Sequence, residues 1–155
     1  VLLRGQSMST LWLSNKHLAQ KIGIGSVASF LAMLSFLLLR GEGDRFQPVL
    51  AKALSSSGLT NFIAVFLEGV ALAFLFIRIR WVSNLAIALA IPSVLFALSH
   101  LPGMLDDGAP WWHMVLMSLA TGSIAVLVLF TCHRTRDIIW IGLVHYIMDA
   151  AISAY

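Results

Sequence analysis

Apolar residues along this chain come in long blocks rather than in stripes. Five blocks can be drawn, at approximately 23–40, 59–77, 82–100, 112–131 and 137–154. Each approaches the roughly 20 residues that an α-helix needs to cross a hydrocarbon core. A helix on the surface of a soluble domain would keep its apolar residues on one stripe and put charges on the opposite face. Here whole turns carry no charge on any face, which reads as contact with lipid. The polar stretches between blocks read as loops. "RGEGDRFQPVLAKALSSSG" at 40–58 is the longest, and "LPGMLDDGAPWW" at 101–112 is rich in turn formers and acids. The pattern predicts an all-α fold, a polytopic membrane helical bundle with about five transmembrane helices. It divides into an N-terminal polar or amphipathic segment at 1–22 and a transmembrane helical domain at 23–155. Leu11, Trp12, Leu13, Leu18 and Ile22 suit a stretch lying on the membrane surface, with a tail lacking fixed structure as the alternative. Trp111 and Trp112 suit an aromatic belt at headgroup level.

Composition sharpens this picture. The chain of 155 residues is 59% hydrophobic and 11% charged, with a mean hydropathy of +0.91. A soluble domain carries about a quarter of its residues charged, so the integral membrane reading stands. The net charge of +3 therefore does not point to nucleic acid, because in a membrane protein the placement of basic residues matters more than their sum. The single cysteine, Cys132, excludes an internal disulfide framework. The chain opens on Val1, so either residues precede it or Met8 lies near the start. The first 21 residues show no signal-peptide pattern.

Basic residues predict an orientation. Arg4, Lys16 and Lys21 precede the first block, Arg78 and Arg80 lie between the second and third, and Arg134 and Arg136 between the fourth and fifth. Seven of the ten Lys and Arg thus fall on one side, while Arg40, Arg45 and Lys52 share their loop with Glu42 and Asp44. The positive-inside rule places the amino terminus in the cytoplasm.

Against this apolar background some residues stand out. Of the seven acids, Glu68 and Asp149 lie inside blocks. A carboxylate near mid-membrane costs on the order of 2.5–3.5 kcal/mol on insertion scales, and such groups usually face a bundle interior or a water-filled cavity. Hydrogen-bonding glue between helices is the structural alternative. His100 closes the stretch "FALSHLPG", and His145 stands in "GLVHYIMDA", four residues before Asp149. Residues four apart share a helix face, so Phe96 lies beneath His100 and His145 beneath Asp149. His113, at the start of the fourth block, His133, in a basic loop, and His17 read as residues with no special role. Three blocks each turning a titratable group inward offer two chemistries, proton-coupled transport or the activation of water for hydrolysis.

These motifs resemble a known family. "FALSH" fits Phe-x-x-x-His, "HYIMD" fits His-x-x-x-Asn/Asp, and "MSLATGSIAVLVLFTCHRTRDIIWIGLVH" between them is similar to the linking region of the CPBP family. These are the CAAX-protease and bacteriocin-processing (Abi) intramembrane proteases, and the resemblance covers about 60–150. It implies peptide-bond hydrolysis within the membrane, with the lipid bilayer as partner and a prenylated protein, a leader peptide or a bacteriocin as substrate. It also implies a prokaryotic plasma membrane. Glu68 would be the general base taking a proton from water, and His100 would hold that water. His145, with Asp149 one turn on, would donate to the developing oxyanion. The first family motif, a Glu-Glu pair with Arg three residues later, is matched here only by Glu68 in "FLEGVALAFLFIR". Gly69 replaces the second acid, no arginine follows at the required place, and Asp149 stands for the commoner Asn. Two readings stay open, a divergent enzyme with a minimal Glu/His/His set, or a non-catalytic relative with an immunity or binding role. A proton-coupled transporter is disfavoured by five spans and no inverted repeat. Glu68, His100 and His145 could equally bind Zn²⁺ with an open position, so a metal is an alternative to a metal-free site.

Overall fold

The computed structural model describes residues 12–13 and 16–152. Helix accounts for 86% of the described residues, and no strand occurs among them. The helices among the described residues are α1 (Leu18–Leu39), α2 (Phe46–Ala53), α3 (Ser56–Val82), α4 (Leu85–Ser99), α5 (Leu101–Asp106), α6 (Trp111–Thr135) and α7 (Ile139–Ile152), with a 3-10 turn at Gly43–Arg45 before α2. Among the described residues, four stretches are long and apolar enough to cross a membrane: Leu18–Leu39, Ser56–Val82, Leu85–Asp106 and Trp111–Thr135. The protein is an all-α integral membrane protein.

Three expectations change in detail. The first span begins at Leu18, so Leu18 and Ile22 belong to the spanning helix and not to a separate surface segment; Leu11 lies outside the described residues. The two polar stretches are not plain loops, since 40–58 holds α2 and 101–112 opens with α5. The fifth block forms a helix of 14 residues over its described part, about 21 Å at 1.5 Å per residue, which is shorter than a full crossing.

The chain forms two compact units, one from Val1–Val70 with Asp137–Tyr155 and one from Ala71–Arg136. In the first, α1 packs along α7, and residue numbers rise together along the two helices. Lys21 Nζ lies 2.5 Å from Asp137 Oδ2, and Met33 and Leu37 share a core cluster with Ala151. The two helices are therefore parallel. Gly25 permits this approach: a methyl group there would lie 2.9 Å from Trp140 Cα, in the backbone of α7. Asp137 also accepts the Ile139 N–H at 2.7 Å, capping the first turn of α7.

The first half of α3 runs the other way along α7. Asn61 meets Asp149, the Phe62 ring stands 5.1 Å from that of Tyr146, and a methyl on Gly142 would strike Phe66. As numbers rise on α3 they fall on α7, so this pair is antiparallel. Ala53, Val65, Tyr146 and Ala150 form its core. The Tyr146 hydroxyl donates to the Ala53 carbonyl and ties α7 to the end of α2.

In the second unit α4 and α6 pack against each other. Asn84 caps α4 by accepting the Ile87 N–H at 3.0 Å. Gly122 of α6 faces α4, where a methyl would lie 3.6 Å from Ala97 Cβ. Toward the end of α3, Phe76 is buried with its ring 5.4 Å from that of His133 on α6. His133 thus belongs to the last turn of α6, rather than to the basic loop in which its neighbours Arg134 and Arg136 suggested it lay.

Candidate functional site

The first unit contains a small cavity of about 180 Å³ where α2 and α3 meet α7. Lys52, Ser57, Asn61, Tyr146 and Asp149 line it. The polar end of α3 builds one wall: Ser55 Oγ accepts the Gly58 N–H at 3.1 Å. Gly58 is required there, because a methyl would clash with the carbonyl groups of Lys52 and Ala53. Asp149 comes from the opposite wall, and its Oδ2 accepts from Asn61 Nδ2 at 2.6 Å. Of the residues singled out in the sequence, Asp149 lines this cavity; Glu68 and His145 do not.

Spacing had paired Asp149 with His145 on one face of α7. The continuous helix keeps them on that face, but the hydrogen-bond partner of the carboxylate is Asn61, 88 positions away. Sequence reasoning passed over Asn61. Its signal was modest, a strongly polar amide one turn into an apolar span, where such groups commonly bond across helices.

Glu68 and His145 can be placed from the register of α3 on α7. The α3 residues that meet α7 or join the shared core are Asn61, Phe62, Val65, Phe66 and Gly69. At 100° per residue, Glu68 stands roughly 90° from the centre of that stripe. On α7, His145 stands roughly 65° from the stripe set by Gly142, Tyr146 and Asp149. Because the helices are antiparallel, both rotations lead to the same flank of the seam, the one away from α1. The two positions differ by about five residues, or ~7.5 Å, along the axis. Each side chain tilts toward the start of its own helix, and in an antiparallel pair that carries the carboxyl and imidazole groups toward each other. Both residues are partly buried. Gly69, where the family motif has its second acid, faces α7, with a methyl there 3.7 Å from Ile138 Cδ1. A carboxylate side chain at 69 would point into the helix seam.

His100 belongs to the second unit, at the junction of α4 and α5. The Phe96 ring lies one turn below it, 4.7 Å between centroids. Its Nδ1 is 2.9 Å from the Phe96 carbonyl oxygen. A carbonyl can only accept, so Nδ1 carries a proton, and in the neutral ring Nε2 then presents its lone pair. That is the tautomer that accepts from a water molecule or binds a metal. Among the described residues, however, no group of three His, Cys, Asp or Glu side chains is placed to hold a metal ion.

No family model, no curated protein and no solved structure matches the chain.

Proposed function

We propose that this protein is an intramembrane endopeptidase of the CPBP type, hydrolysing a peptide bond in a membrane-associated protein or peptide. The observation that carries the reading is the seam between α3 and α7, which sets Glu68 and His145 on one flank with their side chains leaning together. The axial offset of ~7.5 Å is between backbone positions, and the lean of the two side chains shortens it, as a general base and an oxyanion donor serving one water would require. In this reading Glu68 takes the proton from water, and His145 donates to the oxyanion on the scissile carbonyl. His100 holds the water, a role given by the family resemblance and compatible with its Nε2 lone pair. Asp149 acts at one remove by fixing α7 against α3 through Asn61. The substrate class is a prenylated or leader-bearing polypeptide, and the site lies in a prokaryotic plasma membrane with the amino terminus in the cytoplasm.

A second reading has its own support. Position 69 faces the helix seam as glycine, and the cavity beside Asp149 is separate from Glu68 and His145. Both fit a non-catalytic relative that binds a peptide, as an immunity protein would. The test is cleavage of prenylated and leader peptides by the purified protein, set against His100→Ala. Cleavage by the wild type with loss in the variant supports the enzyme. A wild-type protein that never cleaves, yet protects cells from a peptide toxin, supports the binding reading.

A further inference from the structure

The cavity where α2 and α3 meet α7 is lined on one side by oxygens whose protons are already committed. Ser55 has one hydroxyl proton, and it goes to the Lys52 carbonyl at 2.6 Å. Ser55 Oγ lies 2.9 Å from Ser57 Oγ, so the proton between them comes from Ser57. Both lone pairs of Ser57 Oγ are then left to accept. The Tyr146 hydroxyl gives its proton to the Ala53 carbonyl, so its oxygen too can only accept.

The opposite wall adds negative charge. Asp149 Oδ2 accepts from Asn61 Nδ2 at 2.6 Å, and Asp149 Oδ1 has no partner among the described residues. The same bond fixes the Asn61 amide, whose Oδ1 is one more acceptor. Backbone donors at the start of α3 are spent locally: the Gly58 N–H goes to Ser55 Oγ at 3.1 Å and the Leu59 N–H to the Ser55 carbonyl at 2.9 Å. Lys52 is exposed at the mouth and makes no ion pair with Asp149. Tyr146 and Ala150 are buried and give the cavity an apolar floor. Its volume of about 180 Å³ is several times the roughly 30 Å³ that one water molecule takes in the liquid.

A carboxylate oxygen beside three neutral acceptors suits a ligand group that only donates. A primary ammonium has three N–H donors and no acceptor, and its hydrogen bonds to a carboxylate are roughly twice as strong as neutral ones. A bare metal cation would leave most of the volume and the apolar floor unused. We propose that this cavity binds the primary ammonium group of a ligand with a short apolar body, either a small organic amine or the amino terminus of a peptide. The ammonium sits on Asp149 Oδ1 and Asn61 Oδ1, with the Ser57 and Tyr146 oxygens as further acceptors, and the apolar body lies against Ala150. Neither Glu68 nor His145 lines the cavity, so the site holds whether or not the protein hydrolyses peptides.

The test is calorimetric titration of the full chain, purified in detergent, with four probes: butylammonium, trialanine amide, N-acetyl-trialanine amide and butyrate. The two probes that carry an ammonium should bind, and the acetylated peptide and butyrate should not. Binding by either ammonium supports the proposal, and the tighter of the two identifies the source of the group. Asp149→Asn keeps an acceptor for Asn61 but loses the charge, and should weaken ammonium binding roughly tenfold or more. Ser57→Ala, at an exposed position, should weaken it about threefold and carries the test if Asp149→Asn does not fold. Lys52→Gln removes a like charge from the mouth and should tighten binding. The proposal is overturned if neither ammonium binds, if butyrate binds as well as butylammonium, or if folded Asp149→Asn binds as the wild type does. Full displacement of butylammonium by equimolar potassium chloride would make this a metal-cation site and would overturn it too.

Discussion

Asp149 is held within an apolar helix by a single amide, and the chemistry of that contact sets what each substitution does. Asp149→Asn keeps an oxygen that can accept from Asn61, so stability should change little and any peptidase activity should persist. Asp149→Leu leaves the Asn61 amide without its acceptor, at a cost of about 1–3 kcal/mol. Chemical unfolding in detergent separates the two. The Lys21–Asp137 pair should weigh more, because its side chains are only 17% and 8% exposed. Removing one partner of a buried pair typically costs about 3–5 kcal/mol, so Asp137→Ala should destabilise more than Asp149→Leu in the same assay. Replacing both partners, Lys21→Met with Asp137→Leu, should recover part of the loss but not the capping of α7. Lys21 was legible in the sequence as a basic flank of the first block. Its partner was not, because local spacing carries no information on a contact between α1 and α7.

At the scale of elements, packing against α7 decides the fold of the first unit. Gly25→Ala places a methyl 2.9 Å from the Trp140 Cα; backbone cannot swing aside, so the cost should be about 1–3 kcal/mol, as for other overpacked sites. Gly23→Ala, with nothing within 4 Å, should instead stabilise α1 by up to about 1 kcal/mol. Opposite signs from two alanines half a turn apart would establish the close face of α1. The antiparallel seam has its own check. Cysteines at 61 and 149, in a Cys132→Ser background, should be joined by a short bifunctional thiol reagent, whereas cysteines at 63 and 149 should not. The long apolar helices were readable because their hydropathy is continuous. The short helices α2 and α5 were hidden, since eight and six residues rich in turn formers look locally like loop. The join of α3 to α7 was equally hidden: Asn61 and Asp149 were each visible as polar intruders, but only the fold brings them together.

For the whole molecule, the sequence was enough to specify an all-α membrane protein, because blocks of this length without charge have few other uses. The site was legible in part. Its histidines and acids stood out against lipid-facing residues, and the turn relation of Phe96 to His100 follows from helix geometry alone. The common flank of Glu68 and His145 needed the register of α3 on α7, which no local pattern encodes. The most direct measurement of the proposed function is the rate at which the reconstituted protein cleaves prenylated and leader peptides, compared with Glu68→Gln. The glutamine keeps size and hydrogen bonding while removing the base, so the rate should fall by roughly 10²–10⁴-fold, with folding little affected and wild-type activity insensitive to chelators. A Glu68→Gln protein that cleaves as fast as the wild type would contradict the account.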